Sequence, residues 1–322
     1  MKTKDLMAIS SSNYRKNGLI SHLVFFLLAV LAAAFLLLCL FWVDLFLIIV
    51  PLIVIPIFFA AQVVVIALRD EDYLTFGGFF NCFKTYFSPK FASTFRIIKS
   101  AIYSFVVYLI FSIVYGFAIN LSFYYTNFMN YAGIMTDIFN NVLTNPLDIE
   151  MFVNTYKDFF SIIMIYTNVP TLFVSAITFI YLIGINNIGL FDRMNNIQEI
   201  GQINKLAHEN LLRNYRKEIH LSFIKLNWPL FLLFIIGFGG GSVLGYFYLG
   251  TYNGVYTLGI ALAILLSFGL YGPFYLANIE ALYEAFKDKY FDEKNKFKGK
   301  VAESLEDLIK QYENKNDNQD EQ

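Results

Sequence analysis

Residues 69–99 read RDEDYLTFGGFFNCFKTYFSPKFASTFRIIK, and this charged, aromatic segment separates two long apolar regions. An almost uninterrupted apolar run extends from Leu23 to Leu68 before it, and another extends from Ile102 to Ile119 after it. About 20 apolar residues are enough to cross the hydrocarbon core of a bilayer. We therefore expect the segment to lie in water or among lipid headgroups, between membrane-spanning helices.

The overall composition is that of a membrane protein. Hydrophobic residues make up 57% of the 322 residues and charged residues only 15%, whereas a soluble domain has roughly 25% charged residues. The formal net charge of -1 conceals a sorting of cations along the chain. The distribution of Lys and Arg matters more than the net charge, because Lys and Arg near the ends of the spans set the orientation of the protein in the membrane.

The run from Leu23 to Leu68 is too long for one helix and predicts a hairpin. Its only charged residue is Asp44, which stands beside Trp42 and marks an interfacial turn. Because the apolar stretch is longer than the core of a signal peptide, we expect an uncleaved first span.

The predicted fold is all-α: a polytopic bundle of six transmembrane helices with interfacial amphipathic helices on the cytoplasmic side. A cytoplasmic N-terminus (1–18) precedes the membrane domain (19–277), and a cytoplasmic tail (278–322) follows it, disordered from about residue 314. The predicted spans are 19–41, 45–68, 97–120, 159–185, 227–249 and 254–277. The predicted loops are cytoplasmic at 69–96 and 186–226 and external at 121–158.

The distribution of cations predicts the orientation. Lys and Arg are concentrated in the N-terminus, in 69–99, in 192–225 and in 287–315, whereas the opposite segments hold only Lys157. The positive-inside rule therefore places both termini in the cytoplasm of a cell-membrane protein.

Aromatic residues in the segment 69–99 recur every three or four positions, which aligns them along one side of a helix. Basic residues between them could reach anionic headgroups. This pattern allows two interpretations, a docking surface for a partner and an elbow helix in the membrane interface. The residues predicted for docking are Phe80, Phe83, Lys84 and Phe87.

The same region carries a family resemblance. A Pro-containing second span, the acidic run at 69–72 and the aromatic-basic spacing from Phe79 to Phe87 resemble the YesL-like family of bacterial multi-pass membrane proteins. The likeness covers residues 20–110. That family has no established activity, and its members often look like companions of carbohydrate uptake systems. The resemblance implies an accessory role and transfers no functional residue.

The fourth predicted span contains several polar residues close to a proline. Pro170 removes a backbone donor, and the side chains of Thr167, Asn168 and Thr171 could bond to the opened backbone or across helices. Broken helices often line solute paths in transporters. A solute path and a kinked packing element are both consistent with this pattern.

Small residues on the last two spans predict a close helix pair. Gly237, Gly241 and Gly245 are spaced four apart, and Gly259 and Ala263 repeat that spacing on the sixth span. Such stripes let two backbones approach each other. The same stripe could instead join two protomers in a homodimer.

Catalytic signatures are missing from the sequence: there is no HExxH, Walker loop, GxSxG or CxxC. We therefore expect no enzyme, no cofactor, no metal and no nucleic-acid partner. The expected partners are the lipid bilayer and either another membrane protein or a second copy. Two functional hypotheses remain, an accessory or assembly partner of another membrane system and a small-solute transporter or permease.

Overall fold

Long apolar stretches satisfy their backbone polar groups internally by forming helices, and every described element is helical. The structure, a computed structural model, describes residues 3–41, 49, 53–54, 57, 93–144, 155–195 and 201–317. The helices are α1 (Thr3–Leu37), α2 (Ser93–Thr126), α3 (Tyr131–Thr144), α4 (Lys157–Asn195), α5 (Gly201–Asn214), α6 (Arg216–Leu249), α7 (Tyr252–Ile264) and α8 (Tyr271–Asp317). Short 3₁₀ turns follow α1 and α2, and a π-helical segment, Leu265–Leu270, joins α7 to α8.

Five of the described helical stretches are long and apolar enough to cross a membrane. They are Gly18–Leu40, Lys99–Thr126, Lys157–Gly189, Arg216–Leu249 and Tyr252–Gly299. The described helices confirm the all-α class, and the five stretches overlap five of the predicted spans. The predicted second span, 45–68, lies almost entirely outside the described residues, so the count of six stays a prediction.

Several helices extend beyond the predicted spans. Helix α2 continues to Thr126, past the predicted end at Asn120, and α6 begins at Arg216 rather than at Asn227. Helix α8 continues to Asp317, within the tail predicted to be disordered from 314. Hydropathy marks where lipid ends, whereas polar residues such as Lys, Glu and Arg are good helix formers and prolong a helix into water.

The last candidate span is much longer than a membrane. Its 48 residues extend about 72 Å at 1.5 Å per residue, more than twice the ~30 Å hydrocarbon core. Helix α5 contacts its distal part and is not among the candidate spans. A bilayer core would therefore enclose less than half of this stretch.

The core of the protein surrounds α7 and the first half of α8. In the last candidate span 61% of the most apolar window is buried, against 6% in α2. Gly272 permits this packing, because a Cβ there would stand 2.2 Å from Cδ1 of Phe25 on α1. Gly269 lies inside the π-helical segment Leu265–Leu270.

Candidate functional site

The predicted glycine stripe lies in the contact between α6 and α7. A Cβ at Gly237 would stand 2.6 Å from Cα of Ala263. A Cβ at Gly241 would stand 2.2 Å from the carbonyl oxygen of Leu258 and 2.9 Å from Cα of Gly259. The structure thus brings the predicted small residues of the two helices together at backbone-to-backbone distance.

The third glycine continues the same contact. A Cβ at Gly245 would stand 2.4 Å from the carbonyl oxygen of Gly254. Gly239 lies away from α7, since no atom is within 4 Å of a Cβ there, and Gly240 lies at the margin of the contact, where a Cβ would stand 3.7 Å from Cδ2 of Leu262. The close approach is therefore specific to the stripe.

The threonines predicted to line a solute path bond to their own helix. Pro170 lies inside α4 without ending it. Thr167 Oγ1 donates to the carbonyl of Ile163 at 2.8 Å, and Thr171 Oγ1 donates to the carbonyl of Thr167 at 2.7 Å. Both side chains are buried. These bonds satisfy hydroxyls that would otherwise be costly to bury.

Asn168 stands apart from the two threonines. Its side chain is part-exposed, and its Nδ2 donates to Sδ of Met164 at 2.9 Å. A thioether sulfur is a weak acceptor. This amide can therefore exchange its present partner for another at low cost.

The aromatic docking surface cannot be placed. Phe80, Phe83, Lys84 and Phe87 all lie outside the described residues. The docking interpretation and the interfacial-elbow interpretation both stay predictions.

A buried polar cluster, which the sequence reasoning missed, is centred on Asn278. Its Nδ2 donates to the carbonyl of Leu226 at 3.0 Å and to Oδ1 of Asn227 at 3.1 Å. Its Oδ1 accepts from Ser10 Oγ at 2.6 Å. Tyr271 adds a second donor to the Leu226 carbonyl, at 2.8 Å. One amide therefore joins α1, α6 and α8.

A proline lies close to this cluster. Pro229 lies inside α6, lacks an N–H and distorts the helical turn before it. The carbonyl of Leu226 is in that turn and accepts from two side chains of α8. A Trp-Pro pair on one helix and an amide at the end of another apolar run are the signals that could have revealed the cluster.

A second missed cluster fastens α5 to α8. The buried carboxylate of Glu293 accepts from Asn210 and Asn214, each at 3.3 Å, and from Lys296 Nζ at 2.9 Å. Charge-assisted bonds of this kind are stronger than neutral ones. Helix α5 thus turns its polar asparagines as well as its apolar face towards α8.

The same contact contains a buried histidine. His208 bonds to the hydroxyl of Tyr290, and the two rings stack at 5.9 Å with an interplanar angle of 4°. Helix α4 closes the site, because a Cβ at Gly189 would stand 2.6 Å from Nδ1 of His208. Leu211 and Ile219, in the predicted cytoplasmic loop 186–226, are buried in the protein core, whereas the interfacial helices stay a prediction.

The predicted external loop contains a small folded cap. Phe123, Tyr131 and Phe159 are buried together between α2, α3 and α4. Tyr131 donates from its hydroxyl to Oδ1 of Asn120 at 2.9 Å. Burial raises the pKa of the Tyr131 phenol above its ordinary value. The cap is a structured surface rather than an open connector.

These clusters consist of amides, hydroxyls, rings and one paired carboxylate. Within the described residues no group of three His, Cys, Asp or Glu side chains could hold a metal ion. The chemistry that the clusters offer is hydrogen bonding between helices. They fix the positions of α1, α5, α6 and α8 relative to one another.

Comparison with known proteins leaves the function open. The chain matches no protein-family model, no curated protein and no solved structure. The resemblance to the YesL-like family stays a prediction based on the residues quoted above.

Proposed function

We propose that this chain is a non-catalytic integral membrane protein that acts as an accessory or assembly partner of another membrane system, such as one for carbohydrate uptake. Five described helices are long and apolar enough to cross a membrane. The link to carbohydrate uptake rests on the family resemblance. Two features of the helices support the accessory role.

The first feature is the outward face of α2, and it carries the proposal. Only 6% of the most apolar window of α2 is buried, against 22 to 61% in the other four candidate spans. Within the described residues α2 packs along α4, and two hydrogen bonds join them: Ser175 Oγ donates to the carbonyl of Ser104 at 3.0 Å, and Asn186 Nδ2 donates to Ser100 Oγ at 3.1 Å. The exposed face includes Ile102, Tyr103, Phe105, Ile110, Ile113, Val114 and Phe117. Helix α2 therefore leaves a larger share of its apolar surface available to a partner helix than the other four candidate spans do.

The second feature is that several buried polar side chains already form hydrogen bonds within the protein. Thr167 and Thr171 bond to their own helix, and Asn278 donates to the Leu226 carbonyl and to Oδ1 of Asn227. Groups that are already bonded are poor ligands for a solute, because each bond must be broken first. This pattern favours helix assembly over a path for transport.

Photo-crosslinking in native membranes tests the role of α2. A crosslinking residue replaces Ile110 or Phe117, which are 60% and 70% exposed, and the matched control replaces Ile236 of α6, which is 53% exposed. We expect a defined protein adduct from the α2 positions and lipid adducts from the control. Lipid adducts alone from all three positions would contradict the proposal, and a homodimeric adduct would replace the separate partner by a second copy.

Co-purification tests the predicted docking residues. Phe80, Phe83 and Phe87 are changed together to Ala, and Lys84 is changed to Gln in a second variant. We expect both variants to insert normally and to lose a stoichiometric membrane partner that wild type retains through size exclusion. Unchanged recovery of that partner would count against the docking surface.

A small-solute transporter or permease is the second candidate function. Asn168 favours it, because its part-exposed amide beside Pro170 is bonded only weakly, to Met164 Sδ. In proteoliposomes Asn168→Ala should abolish solute flux, whereas Asn295→Ala, which changes an exposed amide of α8, should leave it intact. Wild-type protein that moves none of the candidate solutes would remove this function.

A further inference from the structure

One face of α6 is exposed along the whole helix, and the type of side chain on this face changes along the helix axis. At 100° per residue, Lys217, Leu221, Trp228 and Tyr246 lie on the same side, and all four are exposed. Further exposed members of this face are Ile224, Lys225, Leu232, Ile235 and Val243. The order along the face is cationic, mixed, apolar and then aromatic.

The aromatic residues match the dimensions of a bilayer. Trp228 and Tyr246 are separated by about 27 Å along the axis at 1.5 Å per residue, close to the ~30 Å hydrocarbon core. Trp and Tyr prefer the two membrane interfaces. This register places Trp228 at one interface, with Lys225 about 5 Å and Lys217 about 17 Å beyond it.

Helix α2 shows the same order independently. Exposed Lys99 precedes exposed Tyr103 by one turn, and exposed Tyr124 lies about 32 Å further along the axis. Lys99 Nζ is 4.0 Å from Glu209 Oε1, on the helix that precedes α6. The cationic ends of α2 and α6 therefore lie at the same end of the bundle.

The lysines of α6 carry charge that the described residues do not neutralise. The nearby acid Glu218 is already paired, since Lys289 Nζ lies 3.4 Å from its Oε2. Within the part of the chain that the structure describes, Lys217 and Lys225 have no ion pair. Exposed Leu221 and Ile224 stand between them, so the face offers both cations and apolar side chains.

We propose that the face of α6 formed by Lys217, Lys225, Trp228, Leu232 and Ile235 binds anionic phospholipids of the adjacent leaflet. The ammonium group of Lys225 donates to phosphate oxygens of the headgroup, and Lys217 adds a longer-range attraction from the aqueous side. The indole lies at the interface, and Leu232 and Ile235, on the bilayer side of Trp228, contact acyl chains. This order fits a lipid better than a nucleic acid or an acidic protein. Lipid selectivity of this face does not depend on the accessory role proposed above.

Native mass spectrometry of the full chain in detergent tests this assignment, with phosphatidylglycerol and phosphatidylcholine as the added lipids. We expect tighter binding of phosphatidylglycerol. Lys225→Gln should weaken that binding about fivefold, because a basic residue near the surface contributes ~1 kcal/mol. Lys217→Gln should weaken it less, since that residue is farther from the interface. The matched control is Lys287→Gln, an exposed lysine of α8, and it should have no effect.

Two outcomes would overturn the assignment. Equal binding of the two lipids would remove the selectivity, and equal losses in the three lysine variants would indicate a diffuse charge effect rather than this face. All three substitutions are at exposed positions, so each variant should remain monodisperse, which size exclusion verifies. If inorganic phosphate competes as strongly as the intact lipid, the apolar part of the face makes no contribution and the assignment to lipid is wrong.

Discussion

Gly241 of α6 lies directly against Leu258 of α7, so that a Cβ at Gly241 would stand 2.2 Å from the carbonyl oxygen of Leu258. No side-chain rotation can relieve this contact, because the neighbouring atom belongs to the backbone. We expect Gly241→Ala to separate the two helices and to destabilise the protein by about 1–3 kcal/mol, as overpacking does.

Gly239→Ala is the matched control, because no atom lies within 4 Å of a Cβ at that position. Its effect should be within about 1 kcal/mol of wild type and in the stabilising direction, since Ala favours a helix. Thermal unfolding in detergent measures both variants. Equal unfolding midpoints for Gly241→Ala and Gly239→Ala would show that α6 and α7 leave room for a Cβ at Gly241.

Asn278 is the centre of the polar cluster that joins α1, α6 and α8, and its removal should be costly. Asn278→Ala leaves the Ser10 hydroxyl and the Asn227 amide without this partner in a buried site. We expect a loss of about 1–3 kcal/mol of stability. Asn295→Ala, at an exposed position of the same helix, should change stability by about 0.5 kcal/mol or less. A smaller loss for Asn278→Ala than for this control would contradict the role of the cluster.

The glycine stripe and the polar cluster differ in how far the sequence can predict them. Small residues at four-residue spacing on two consecutive spans predict a close pair, because consecutive antiparallel helices are neighbours and the turn between α6 and α7 is short. The bond between Ser10 and Asn278 joins residues 268 positions apart. No local pattern indicates which distant helices meet, so this contact becomes visible only in the folded chain.

Helix ends were the other part that the sequence predicted poorly. Apolar residues predicted where α6 crosses the membrane, but α6 begins at Arg216, well before that stretch. The residues from Arg216 to Leu226 alternate between exposed charges and buried apolar side chains such as Ile219 and Phe223. The buried side of this part of α6 belongs to the protein core.

Glu293 should control the docking of α5. Glu293→Ala removes the acceptor of Asn210, Asn214 and Lys296, and hydrogen bonds to a charged group contribute about 1.5–3 kcal/mol each. We expect faster amide hydrogen exchange throughout α5 in this variant. Asp292→Ala changes the adjacent but exposed carboxylate and should leave the exchange of α5 unchanged. Similar exchange in the two variants would mean that apolar contacts alone hold α5.

Tyr131 should make the external cap sensitive to alkaline pH. Its phenol is buried and donates to Asn120 Oδ1 at 2.9 Å, and burial raises its pKa above the ordinary value of 10.0. A raised folded-state pKa means that the neutral phenol stabilises the fold fully below about pH 10, and that this contribution is lost as the pH rises through the folded-state pKa.

Tyr131→Phe removes the ionisable hydroxyl and should lower the unfolding midpoint at neutral pH by the loss of one hydrogen bond, about 0.5–1.5 kcal/mol. The difference between wild type and this variant should stay constant up to about pH 10 and shrink above it, because only the wild type must bury or ionise a phenol. Thermal unfolding across this range measures the difference, and the other tyrosines cancel because both proteins contain them. Tyr125→Phe, at a position that is 78% exposed, should leave the neutral-pH midpoint almost unchanged. A wild-type advantage that persists unchanged to about pH 12 would mean that burial does not raise the pKa of this phenol.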